Sequence, residues 1–250
     1  MFEESLKEVR VASSKKLTLL KKDPLAYFLM SVLAGMYIGF GILIAFSVGG
    51  QITGGATKLV MGSVFSVALS LVIIVGAELF TGNNFVLSVG AMTKQNTWAQ
   101  AVYLWGFCWI GNVCGSVLLA FLYKATGLQV DGIAKAITNA AIVKTTASPS
   151  ELLARAILCN ILVCLALWSS FRTKNDVAKL IMTFLCIVTF FTSGFEHSVA
   201  NMTLLTAAML GPDPISLGAW GYNIFWVTLG NMIGAIVFLA IPYVLTLRKK

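Results

Sequence analysis

One histidine occurs in the 250 residues, and a glutamate stands directly before it. The pair is Glu196-His197, in the run Thr192-Ser193-Gly194-Phe195-Glu196-His197-Ser198-Val199-Ala200-Asn201. The flanks, Ile181 to Phe191 and Met202 to Leu210, carry no charge. An ionised group at the centre of such a stretch costs roughly 2.5 kcal/mol or more, so a Glu–His pair there is a functional site by default. An imidazole with an ordinary pKa of about 6.5 can donate a hydrogen bond, or a whole proton, to a ligand that reaches it.

A second glutamate has a matching setting. Gly76-Ala77-Glu78-Leu79-Phe80-Thr81-Gly82-Asn83 shares the pattern Gly-x-Glu-x-x-x-x-Asn with the run from Gly194 to Asn201, 118 positions later. Gly111-Asn112-Val113-Cys114-Gly115 likewise matches Gly230-Asn231-Met232-Ile233-Gly234 at an offset of 119. Glu78 and Glu196 therefore belong to the architecture, as caps for backbone amides, and Asn83 and Asn201 are expected to satisfy broken backbone. His197 has no twin, because Leu79 stands in its place.

The elements that must hold these residues are apolar and long. The chain is 58% hydrophobic and 11% charged, against about 25% charged in a soluble domain, which makes it an integral membrane protein. Six apolar spans lie at about 25–48, 59–92, 97–123, 151–171, 177–210 and 219–246. A crossing needs about 20 residues, so 59–92 and 177–210 are too long for one straight helix, and these two carry the glutamates. Gly82, and Ser193 with Gly194, are the expected breaks. Three spans per repeat is an odd number, so the halves insert with opposite topology, an arrangement that puts a site near the midplane at discontinuous helices. Irregular backbone at that depth has to line a cavity or be buried in protein. The expected fold is an all-α membrane protein of six transmembrane helices in two inverted three-helix repeats, two of the helices interrupted.

Lys and Arg counting sets the orientation. Thirteen (Lys7, Arg10, Lys15, Lys16, Lys21, Lys22, Lys94, Arg172, Lys174, Lys179, Arg248, Lys249, Lys250) fall on one side and five (Lys58, Lys124, Lys135, Lys144, Arg155) on the other. Both termini are thus expected in the cytoplasm. Residues 1–22 alternate apolar and charged positions, as in an amphipathic surface helix or a free charged tail, and no cleaved signal peptide is expected. The expected organisation is an N-terminal segment 1–22, a first repeat 23–123, an outside loop 124–150 that is helical near Ile133–Val143, and a second repeat 151–250. The Gly-x-x-x-Gly spacings at Gly35/Gly39, Gly111/Gly115 and Gly230/Gly234 suit close helix packing. The five cysteines lie inside apolar spans with no paired spacing and read as small buried hydrophobes. Trp98, Trp105, Trp109, Trp220 and Trp226 read as interface anchors or protomer contacts.

On the run Gly194-Phe195-Glu196-His197-Ser198-Val199-Ala200-Asn201-Met202, with Glu78-Leu79-Phe80-Thr81 and Leu229-Gly230-Asn231, the chain resembles the formate/nitrite transporter family over nearly its whole length. The resemblance implies an aquaporin-like protomer, a ring of five, a place in the inner (plasma) membrane, and one pore per protomer for formate, nitrite or hydrosulfide. It implies a substrate pathway at His197 (the central pore histidine), Thr81 (the threonine of the broken second span) and Lys144 (a vestibule lysine). Leu79, Phe80 and Phe190 would form greasy constrictions, with Phe65, Leu69 and Val163 as further lining. Glu78, Glu196, Asn83 and Asn201 support them. Gly82-Asn83 follows Thr81 where some formate channels have serine, and the Phe80-Thr81-Gly82-Asn83 run looks closest to the hydrosulfide branch.

Such a pore must pass an anion through an apolar barrier that opposes it by many kcal/mol. Lys144 could concentrate anions outside, half-helix N-termini at Ser198 and Asn83 could face the midpoint, and His197 could donate to or protonate the anion. A facilitator of small neutral solutes is the alternative, though neither of its two expected Asn-Pro-Ala motifs occurs. One histidine in Glu-His order argues against an intramembrane protease. No Gly-rich nucleotide loop supports a pump, and no metal, cofactor or nucleic-acid partner is expected.

Overall fold

The computed structural model describes residues 2–247, and every regular element among them is a helix. Arg248, Lys249 and Lys250, three of the thirteen orienting cations, lie outside those residues. Helix α1 (Glu3–Lys22) opens on Glu3 and Glu4 and closes on Lys21 and Lys22, so both ends suit the helix dipole. Its apolar stripe is buried against protein: Leu6 and Val9 join Phe85, Val86, Val89 and Trp168 in one core cluster. It is neither a free tail nor a helix with its apolar face in lipid. Asp23 then accepts from the Ala26 N–H at 2.9 Å, and Pro24 starts α2 (Pro24–Gly49), about 39 Å long at 1.5 Å per residue.

The next apolar rod runs Thr57–Gly76. It comprises α3 (Thr57–Phe65), α4 (Val67–Ser70) and a π-helical turn, Leu71–Gly76. Gly76 takes φ +93°, a backbone region that suits glycine. Ala77 is fully extended, and α5 (Phe80–Met92) begins after Leu79. The break is therefore at residues 77–79 and not at the expected Gly82, which lies inside α5. A Cβ at Gly82 would stand 3.2 Å from the Leu167 side chain, so that glycine admits a neighbouring helix and does not turn the chain.

Helix α6 (Trp98–Ala125) starts at a Thr97/Gln100 capping box and α8 (Pro149–Arg172) at a Ser148/Glu151 box; α7 (Asp131–Thr146) lies between them, longer at both ends than the expected Ile133–Val143. Then α9 (Asp176–Thr192) stops where Gly194 takes φ +75°, as expected, and α10 (Ser198–Met209) resumes. Helix α11 (Leu217–Ala235), a π-helical turn Ile236–Ala240 and α12 (Ile241–Leu247) close the described chain. Among the described residues five helices are long and apolar enough to cross a membrane: Pro24–Gly49, Thr57–Gly76, Trp98–Ala125, Pro149–Arg172 and Leu217–Thr246. The stretch from Asp176 to Met209 is divided between α9, of 17 residues, and α10, of 12.

Two helix pairs form the frame, α2 with α6 and α8 with α11. In each, glycines let backbones meet: a Cβ on Gly35 would strike the Asn112 carbonyl, and one on Gly230 would stand 2.6 Å from the Ala156 Cβ. Outside the frame, α1 packs on α5 and α7 packs on α10. They sit at opposite ends of α2, since α1 leads into Pro24 while Gly132 of α7 approaches the Gly50 carbonyl. Trp105 departs from the expected surface role. It is buried, and its indole N–H donates to the Asn83 carbonyl at 3.0 Å. Four cysteines are buried as expected, and Cys114 is exposed.

Candidate functional site: two matched breaks and one histidine

A broken helix leaves amides and carbonyls that need partners inside an apolar interior. Asn112 supplies them at the first break. Its Oδ1 accepts from the Phe80 N–H at 2.9 Å, and its Nδ2 donates to the carbonyls of Ser31 (2.7 Å) and Glu78 (3.0 Å). Asn231 does the same at the second, accepting from the Ser198 N–H at 2.9 Å and donating to Ala156 (2.8 Å) and Glu196 (2.9 Å). The Glu78 N–H donates to the Met30 carbonyl at 3.1 Å and the Glu196 N–H to that of Arg155 at 3.2 Å. The two sets agree bond for bond.

The glutamate side chains were expected to cap backbone; each is instead half of an ion pair. Lys16 of α1 reaches both Glu78 oxygens at 2.7 Å, and Lys144 of α7 reaches those of Glu196 at 2.8 and 2.9 Å. Asn83 and Asn201 likewise bond the carboxylates and not the backbone amides: Asn83 Nδ2 donates to Glu78 Oε2 at 2.9 Å, and Asn201 Nδ2 donates to Glu196 Oε2. The broken amides are already taken by Asn112 and Asn231, while a buried carboxylate needs donors for its remaining lone pairs. The Tyr27 hydroxyl adds a donor to Glu78 at 2.9 Å, and Asn223 Oδ1 accepts from Asn201 at 2.8 Å.

His197 breaks the match. Its Nδ1 accepts from the Ala200 N–H at 3.1 Å, so the imidazole caps the half-helix that it precedes. A backbone N–H can only donate, so Nδ1 is bare and the ring proton sits on Nε2. Nε2 lies 3.0 Å from Thr81 Oγ1, across the two breaks. Thr81 thereby accepts from the ring, and its own hydroxyl proton is left without an acceptor among the described residues. Asn160 ties the halves together, donating to the carbonyls of Thr81 (3.2 Å) and Asn231 (2.7 Å).

At the α7 end a vestibule of about 820 Å³ descends to His197, its wall including Lys58, Lys144, Arg155 and Glu196. Below it lies a chamber of about 10 Å³, lined by Ile38, Phe65, Leu69, Val163, Ile187, Phe190 and His197; that is room for about one water. Phe65, Phe190 and His197 border both spaces and form the wall between them. Phe190 stacks on His197 at 6.0 Å and 19°, and Phe65 meets Phe190 edge to face at 5.8 Å. Leu79, Phe80 and Thr81 are buried beside the first break and line neither space; Thr81 meets the wall only through its bond to His197.

The structure thus brings His197, Thr81, Phe65, Phe190, Leu69 and Val163 to one point, with Lys144, Glu196 and Asn201 on the wall above. Sequence reasoning missed Lys16, Tyr27, Asn160 and Asn223, and saw Asn112 and Asn231 only as repeat markers. The repeat itself could have flagged those two, because a polar residue kept at equal places in both halves of an apolar chain needs a buried partner.

A vestibule that ends at two phenylalanines and a buried histidine, in a chain with several apolar crossings, fits the class of membrane channels and transporters. The chain belongs to the formate/nitrite transporter family, whose model, described as formate/nitrite transporter, matches residues 3–245. It is 38% identical to the nitrite transporter NirC of Salmonella typhimurium, over 97% of this chain and 91% of that protein. It also resembles a solved FNT family ion channel, at a TM-score of 0.94 and 36% identity, covering 98% of this chain and 99% of that one. A pentameric formate channel with formate bound gives a TM-score of 0.76 at 29% identity, over 92% and 99% of the two chains.

Proposed function

We propose that this protein conducts a small monovalent anion through a pore within each protomer, and that His197 with Thr81 supplies the hydrogen bonds at its narrowest point. The observation that carries this reading is the His197–Thr81 pair, an imidazole in the aromatic wall bonded to a threonine hydroxyl across the two breaks. An anion leaving water needs its lost hydrogen bonds replaced. The free Thr81 hydroxyl proton offers one, and the Nε2–H offers a second by exchanging Thr81 Oγ1 for the anion, without adding a fixed charge that would trap it. The Nδ1 cap favours hydrogen-bond donation over proton transfer, because a second ring proton would set N–H against the Ala200 N–H.

The same reading takes the chain as six crossings in two inverted three-helix repeats, 23–123 and 151–250. Each repeat is led by its own amphipathic segment, 1–22 or 124–150. The matched bonds at the breaks support it, as do α1 and α7 at opposite ends of α2. A homopentamer in the inner membrane with cytoplasmic termini is proposed on the bias of Lys and Arg and on the pentameric relative. Nitrite is the first candidate, since the relative at 38% identity carries it; formate and hydrosulfide follow. Side-by-side uptake of the three anions into proteoliposomes tests this. Uptake of at least one, abolished or cut about tenfold or more by Thr81→Val, is expected. Uptake that Thr81→Val leaves unchanged refutes the donor role.

A further inference from the structure

The vestibule wall carries three cations, Lys58, Lys144 and Arg155. Two are engaged. Lys144 bonds both oxygens of Glu196, and Arg155 reaches Glu151 at 3.2 Å. Lys58 is exposed and has no carboxylate partner among the described residues. It is the second residue of α3, and its position is fixed from behind. Thr192 Oγ1 donates to its carbonyl at 3.5 Å, and one turn on, Gly62 lies against Thr192 and Phe191. Lys58 thereby lines the same cavity that ends at Phe190 and His197.

The repeat gives this position a counterpart. Counting 118 positions on from Lys58 reaches Asp176, the first residue of α9. Asp176 is an anion, bonded to Lys179 at 2.9 Å. One rod opens on a free cation, and its counterpart opens on a carboxylate already offset by a lysine.

We infer that Lys58 is the residue that captures the anion at this mouth, ahead of Lys144, whose charge Glu196 already neutralises. The inference rests on the anion-conduction reading above. Capture by one exposed charge is a long-range effect that salt removes, because the screening length falls from about 30 Å at 10 mM to a few ångströms near 1 M. The test is initial nitrite and formate uptake into proteoliposomes, at low substrate concentration, in about 10 mM and about 500 mM inert salt. In the low-salt arm Lys58→Gln is expected to lower the rate about threefold and Lys58→Glu about tenfold, with Lys58→Arg restoring it. In high salt the deficit of Lys58→Gln should shrink towards nothing. Equal rates for Lys58→Gln and wild type in low salt overturn the inference. A deficit of the same size at both salt concentrations also overturns it, since that marks a structural role. Wild-type protein that takes up no anion overturns the conduction reading itself, before any variant is compared.

Discussion

The two breaks are alike in what holds them and unlike in what they offer. Each is capped by an asparagine from a neighbouring long helix, Asn112 or Asn231, and each carries a glutamate paired with a lysine from an outlying helix, Lys16 or Lys144. At the position after the glutamate they part: Leu79 is a buried apolar side chain, and His197 is a cap and a donor at once. The bonds that keep a helix broken inside an apolar interior exist in duplicate. The imidazole exists in one copy, and it reaches across to Thr81 on the other half. An apolar interior can be interrupted twice at tolerable cost if every freed amide and carbonyl is matched, and one asymmetric residue then sets the two halves apart.

Breaking the match should show how far the likeness goes. The largest effect is expected from stripping the lysines. Lys144→Ala leaves Glu196, 3% exposed, with an uncompensated charge, at a cost of about 3–5 kcal/mol. Lys16→Ala should cost less, because Glu78 is 12% exposed and keeps the Tyr27 hydroxyl. Thermal unfolding in detergent reads both, and equal losses would mean that the two ends are energetically the same. Asn112→Ala and Asn231→Ala should next lose about 2 kcal/mol each, and by similar amounts, since each strands the same three backbone groups; a twofold disparity would contradict the matched frame. Smaller still, Gly194→Ala forces a side chain into φ +75° and should cost about 1 kcal/mol. Gly82→Ala needs only a slight shift of Leu167 and should cost less.

Much of this was legible in the sequence because membrane insertion leaves coarse marks. Long apolar stretches, a charge bias and a repeated Gly-x-Glu-x-x-x-x-Asn pattern pointed to the broken rods, and His197 stood out as the residue without a counterpart in the repeat. The position of the first break did not follow. Two glycines, Gly76 and Gly82, stand six residues apart; Gly76 takes the positive φ, while Gly82 lies inside α5 against Leu167, a contact that only the folded packing reveals. The partners of the glutamates were hidden for a different reason. Lys16 sits 62 positions from Glu78 and Lys144 52 from Glu196, in segments that read as a charged tail and an outer loop, so only the folded packing of α1 and α7 reveals them. Among the five tryptophans Trp105 misled, since it is buried and satisfies the carbonyl of Asn83.

The account turns on the state of His197, and the chain makes that state directly observable because it has no other histidine. Nitrogen-15 NMR of the reconstituted protein, labelled only at histidine, reports the protonation of both ring nitrogens from a single residue. At neutral pH the account predicts one protonated nitrogen, Nε2, and one bare nitrogen, Nδ1, with Thr81→Val perturbing the Nε2 signal and leaving Nδ1 in place. A ring protonated on both nitrogens, or carrying its proton on Nδ1, would contradict the cap on α10 and the donor role at Thr81.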